Sequence, residues 1–158
     1  MAIAFVAALA TFQRYPDGLP IDWRPDAVAT NFAATGAGPS EDMLSARFGL
    51  CHSGGGSNCV VDGDTFWFGG DKYRIADIDT PETHPARCAE EAALGEAATD
   101  RLREWLNDGA FSLESADRDT DRYERKLRIV TRGGTSVGSV LVAEGLARPW
   151  EGQRRPWC

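Results

Sequence analysis

Two short stretches constrain this chain more than any other feature. "VVDGDT", residues 60–65, carries Asp62 and Asp64, and "ADIDTPETHP", residues 76–85, carries Asp77, Asp79 and Glu82. The run "CVVDGDTFWFGG" is rich in β-branched and aromatic residues and ends in a Gly-Gly turn. "DKYRIADI" follows as a second strand, and together they predict a hairpin. Gathering the acids in one place opposes folding if they are buried unpaired. A bound divalent cation supplies the missing positive charge, and calcium takes several hard oxygen ligands from carboxylates and carbonyls. On that reading Asp64 and Asp79, on neighbouring strands, supply two ligands, with Asp62, Asp77 and Glu82 also available. The plainer alternative is that Asp62-Gly63 and Asp79-Thr80-Pro81 are turn formers bearing solvated acids.

The rest of the chain alternates between strand and helix patterns. Leu94, Ala98, Leu102, Trp105 and Leu106 recur at helical spacing between Cys88 and Leu106, and Asn107-Asp108-Gly109 stops the run. "AFSLESA" and "KLRIVTRGG" read as strands separated by "DRDTDRYER", a charged loop with screened ion pairs. "SVGSVLVAEGLA" reads as a helix ending at Gly145. Strands, helix, strands, helix is the order of an α+β domain, a small barrel with helices packed on it.

The 158 residues suffice for one domain with a real core. Residues 1–10, "MAIAFVAALA", read as the remnant of an export signal or membrane anchor, too short to span a bilayer and lacking a basic region before it. A short surface helix is the alternative. Residues 11–45, with Pro16, Pro20, Pro25, Pro39 and "ATGAGPSED", read as a tether, leaving 46–158 as the folded domain. Four cysteines, Cys51, Cys59, Cys88 and Cys158, suggest disulfides and an extracytoplasmic, oxidising location. They allow three pairings; the preferred one joins Cys51 to Cys59 and Cys88 to Cys158. A zinc set of Cys51, His52, Cys59 and Cys88 matches no usual ligand spacing. His52 and His84 read as exposed. The net charge of −7 argues against non-specific adhesion to nucleic acid but leaves room for a local basic site.

Arg74 and Arg125 suit such a site. A guanidinium beside a metal–carboxylate centre is useful when the substrate carries its own negative charge, as phosphate does. One remaining carboxylate can then act as a base on water. Strict strand alternation would put Arg74 and Asp79 on opposite faces, so a bulge or strand end must intervene.

"VVDGDT", "YRIADIDTPET" and "DRYERKL", in this order with a helix before the last, resemble the staphylococcal nuclease (thermonuclease) family over roughly Cys59 to Trp150. The resemblance implies a five-stranded OB-fold barrel with about three helices, and calcium-dependent hydrolysis of phosphodiester bonds in DNA and RNA. It implies that Asp64, Asp79 and the Thr80 carbonyl ligate calcium and that Glu82 is the general base. Arg74 and Arg125 bind the phosphate and stabilise its transition state, and Tyr123 and Arg122 contact nucleotide. Glu124 stands where the family usually has Gly, and at positive φ it would cost about 1 kcal/mol or more. It also places a negative charge beside Arg125. Pro149, Trp150 and Glu151 replace an aromatic pair. Trp150 either stacks a base or packs on the barrel, and Trp157 packs beside Cys158. A DNA or RNA substrate, no stable protein partner and a monomer are expected. The rival readings are an OB-fold module that binds nucleic acid without cutting it and a calcium-stabilised envelope protein.

Overall fold

A computed structural model describes residues 42–52 and 55–158. The apolar run 1–10 and the tether up to residue 41 lie outside the described residues. At the near end Asp42 accepts hydrogen bonds from the Ser112 hydroxyl at 2.8 Å and the Gly133 N–H at 2.6 Å, and Leu44 bridges Phe111.

The strands are β1 (Gly49–Leu50), β2 (Cys59–Asp62), β3 (Thr65–Phe68), β4 (Asp71–Ile75), β5 (Ile78–Asp79), β6 (Ser112–Thr120), β7 (Lys126–Arg132), β8 (Thr135–Ser136) and β9 (Arg148–Pro149). The helices are α1 (Ala89–Asn107) and α2 (Val137–Ala143). The main sheet runs β1-β2-β3-β4-β7-β6, with β8 also on β7, and a small sheet pairs β5 with β9. β2, β3 and β4 form the expected hairpins, whereas β4 meets β7 in parallel.

Three expectations are corrected. Among the described residues the main sheet has seven strands rather than five, and no ladder joins β1 to β6, so it stays open. Two helices are present there rather than three. The "DRDTDRYER" run is not all loop: β6 continues to Thr120, because Thr120 pairs with Lys126 beyond a register irregularity and Asp119 holds Arg128 at 2.7 Å.

Period-two alternation explains β4. Tyr73 and Ile75 face the core, while Arg74 between them is buried on the other face. The core centres on Phe48, Phe66, Phe68 and Phe111, whose neighbouring rings lie 5.4–6.1 Å apart. Leu102, Trp105 and Leu106 from α1 and Val137 and Leu141 from α2 complete it.

α1 is capped from within its own sequence. Cys88 is the N-cap, and Glu91 turns back so that its carboxylate accepts the Arg87 N–H at 2.6 Å. Cys88 is bonded to Cys158 and Cys51 to Cys59, the preferred pairing. With their thiols so used, the zinc set is ruled out.

Two glycines let α1 lie flush on the acid-bearing loops. A Cβ on Gly95 would stand 2.9 Å from the Pro81 carbonyl oxygen and 3.0 Å from that of Glu82. A Cβ on Gly63 would stand 2.6 Å from Ala98 Cβ and 3.0 Å from Thr80 Cγ2. Glycine in mid-helix costs about 1 kcal/mol relative to Ala; here the close approach requires it.

Candidate active site

Asp64 lies in the tight turn between β2 and β3, not on a strand as expected, and is almost fully buried. The Asp62 carboxylate accepts its backbone N–H at 3.1 Å, shaping the turn. Arg74 Nη1 is 2.8 Å from each Asp64 oxygen, but its hydrogen bond is directed at Oδ1. Thr65 Oγ1 donates to the same Oδ1 at 2.8 Å and accepts from Arg125 Nη1 at 3.2 Å. The result is one connected chain, Arg74–Asp64–Thr65–Arg125, that fixes two guanidiniums by one buried carboxylate.

Asp79 ends β5 and is buried, as is Thr80. The chain turns between Ile75 and Ile78, ending β4 and starting β5. This break is what lets Arg74 and Asp79 share a site despite their odd spacing; Arg74 Nη2 is 3.6 Å from Asp79 Oδ1. Asp77 turns away: its Oδ2 accepts the Ser136 hydroxyl at 2.6 Å, at the start of α2. Glu82 is partly exposed and pairs with Arg154 Nη1. Arg154 Nε also lies 3.2 Å from Asp79 Oδ1, and Nη2 lies 3.9 Å from Asp64 Oδ2.

Asp64 Oδ2 and Asp79 Oδ1 are buried, and neither has an aligned hydrogen bond. Two such oxygens, 1% and 4% exposed as residues, fit a hard divalent cation, which asks for charge and oxygen lone pairs rather than a directed N–H. Among the described residues no three of His, Cys, Asp and Glu close on one point as a metal cluster. The further oxygens must therefore come from carbonyls, such as that of Thr80, or from water.

The acids repel one another. Burial, and then the charge of Asp64, push the Asp62 carboxyl up to about 7. Burial also raises Asp79, against the opposing pull of Arg154. The Trp157 indole N–H lies near Asp79 and weakly favours its ionised form without making an aligned hydrogen bond.

A cleft of about 820 Å³ opens beside this cluster, with Arg74, Arg125, Arg154, Arg122, Tyr123 and Trp150 on its walls. Tyr123 is well exposed; Arg122 Nη2 meets its hydroxyl at 2.6 Å, and the Arg122 guanidinium lies 4.7 Å from its ring centre. Trp150 is half-exposed with Arg74 5.7 Å from its ring centre. Trp157 carries the Arg148 guanidinium 3.6 Å from its ring centre.

Glu124 has φ = 63°, in the left-handed region where a Cβ is strained. Its side chain is exposed. The carboxylate that engages Arg125 is instead Asp121, 2.8 Å from Nε and 2.7 Å from Nη2.

The structure brings Asp64, Asp79, Glu82, Arg74 and Arg125 into one cluster and sets Tyr123, Arg122 and Trp150 around the adjoining cleft. Sequence reasoning missed Thr65, Asp121 and Arg154. The first two lie inside the quoted motifs "DGDT" and "DRYER"; Arg154 has only the crosslinked tail "QRRPWC" to signal it.

Residues 72–156 match the family model described as Staphylococcal nuclease homologue. The chain is similar to the SPbeta prophage-derived endonuclease YokF of Bacillus subtilis (strain 168), 43% identical over 95 residues, covering 56% of this chain and 31% of that protein. It is also similar to Endonuclease YncB of the same organism, 40% identical over 95 residues, covering 56% of this chain and 44% of that protein. The chain thus spans less than half the length of either relative. Since the family model takes in more than half of its residues, the chain belongs to the staphylococcal nuclease homologue family.

Proposed function

We propose that this domain is a calcium-dependent nuclease that hydrolyses phosphodiester bonds of DNA or RNA in the arginine-lined cleft. The observation that carries this reading is the hydrogen-bonded chain Arg74–Asp64–Thr65–Arg125. It holds two guanidiniums beside buried carboxylates, with no reorganisation needed when charge develops on a phosphate. Asp64, Asp79 and the Thr80 carbonyl would hold the calcium, which supplies Lewis-acid charge to the phosphoryl oxygens. Glu82 takes the proton of the attacking water as the water oxygen bonds to phosphorus and the ester P–O bond breaks, and the departing oxygen leaves as an alcohol after taking a proton from solvent. Arg74 and Arg125 bind the non-bridging oxygens with the N–H groups that Asp64, Thr65 and Asp121 leave free. Arg122, Tyr123 and Trp150 hold the flanking nucleotide by charge and stacking. The relatives named endonucleases support the activity, and two disulfides support an exported, oxidising setting.

The test is cleavage of single-stranded DNA and of RNA with calcium and then with excess chelator, beside a Glu82→Ala control. Calcium-dependent cutting lost in the variant is expected. Oligonucleotide binding that persists in chelator with no cleavage under either condition would instead make the domain a binding module.

A further inference from the structure

The C-terminal tail is fastened across the acid cluster. β9 pairs with β5, with Arg148 opposite Asp79. The Trp150 N–H bonds the Asp77 carbonyl at 2.8 Å. Further on, Arg148 holds Trp157 by its ring and the Pro156 carbonyl by a 3.1 Å hydrogen bond, and Cys158 is bonded to Cys88 at the head of α1. The segment between is therefore a loop closed at both ends, and it carries Arg154.

Among the described residues Arg154 is the one side chain that reaches Asp64, Asp79 and Glu82 together. Arg74 reaches the two aspartates but is itself buried and committed to Asp64. Arg154 neutralises charge there, yet the aspartate oxygens it faces have no aligned hydrogen bond. Its side chain is 41% exposed and already lines the cleft. It can therefore leave without uncovering the core, while the closed loop keeps it at high local concentration.

We propose that Arg154 is a resident counter-ion that pairs with Glu82 and competes with the divalent cation for Asp64 and Asp79, so that the crosslinked tail sets the metal affinity of the site. This rests on the reading that Asp64 and Asp79 hold calcium. Arg154 faces Asp64 Oδ2 and Asp79 Oδ1, the two oxygens left without an aligned hydrogen bond for the cation, and its positive charge opposes the cation's there. Calcium must displace Arg154, and the displaced guanidinium stays beside the cleft.

The experiment is calorimetric titration of calcium into the full, oxidised chain, wild type beside Arg154→Gln and Arg154→Lys, with melting temperatures in chelator. Arg154→Gln is expected to bind calcium roughly tenfold tighter and to melt lower without metal, since Glu82 then lacks its counter-ion and the two aspartates keep only Arg74. Arg154→Lys, which keeps the charge, should return toward wild type in both. Equal calcium affinity in all three proteins overturns the competition and leaves the calcium site standing. No calcium binding by any of them overturns the calcium assignment and this proposal together.

Discussion

Asp121 holds Arg125 from four residues earlier in the chain. One carboxylate oxygen takes Nε and Nη2 at 2.8 and 2.7 Å, and the other accepts the backbone N–H groups of Tyr123 and Arg125 at 2.9 and 3.0 Å. Burial would raise the Asp121 carboxyl, but these hydrogen bonds outweigh it and hold it below its ordinary range. The loop that presents Tyr123 to the cleft and the guanidinium that reaches Thr65 are thus organised by one side chain. Asp121→Ala should lower stability by about 2 kcal/mol in urea denaturation, and reduce kcat more than it raises KM. Loss confined to KM would mean that Asp121 only shapes the nucleotide-contacting loop.

Gly95 carries a prediction about Glu82, which it does not touch through a side chain. Gly95→Ala puts a methyl against the Pro81 and Glu82 carbonyls. Either α1 backs away or the Glu82 loop shifts. Stability should fall by about 1–3 kcal/mol, and cleavage by the remaining folded protein should fall with it. A variant as stable as wild type would show that the helix–loop contact has slack.

Glu124 sits at φ = 63° with an exposed side chain. Glu124→Gly relieves the left-handed strain and should raise stability by about 1 kcal/mol, read from the urea midpoint. Because Asp121 rather than Glu124 binds Arg125, the substitution should leave the rate of oligonucleotide cleavage unchanged. A destabilised Glu124→Gly would mean that the strain is offset by a contact of the Glu side chain.

Asp62 gives the metal-free protein a pH dependence with a definite sign. Its carboxyl is pushed from 3.8 up to about 7, so the folded chain retains a proton that the unfolded chain releases. The stability so gained is complete below about pH 4 and is lost as pH rises toward 7. In chelator the urea midpoint should fall between pH 5 and 7.5, and Asp62→Asn should flatten that slope. A wild-type midpoint rising over the same interval would contradict the assignment.

The sequence by itself determined the pieces whose physics is local. β-Branched and aromatic runs bounded by Gly-Gly turns marked the strands around residues 59–75 and 126–132, and helical spacing with its stop signal marked α1 to within a residue at each end. The acids and arginines of "DGDT", "DTPE" and "DRYER" pointed to a phosphate–metal site, because few other jobs need those groups together. What the tertiary structure decided is which of them meet. Asp77 and Asp79 are two residues apart, yet one faces α2 and the other the cluster, because Asp77 lies in the break between β4 and β5 while Asp79 lies on β5, which pairs with β9. The parallel junction of β4 with β7, the closure of Arg125 onto Thr65 across 60 residues, and the approach of α1 at Gly63 and Gly95 all depend on distant packing. Arg154 reaches the acids because β9 and the Cys88–Cys158 bridge fold the tail back over them, a constraint that no local periodicity records.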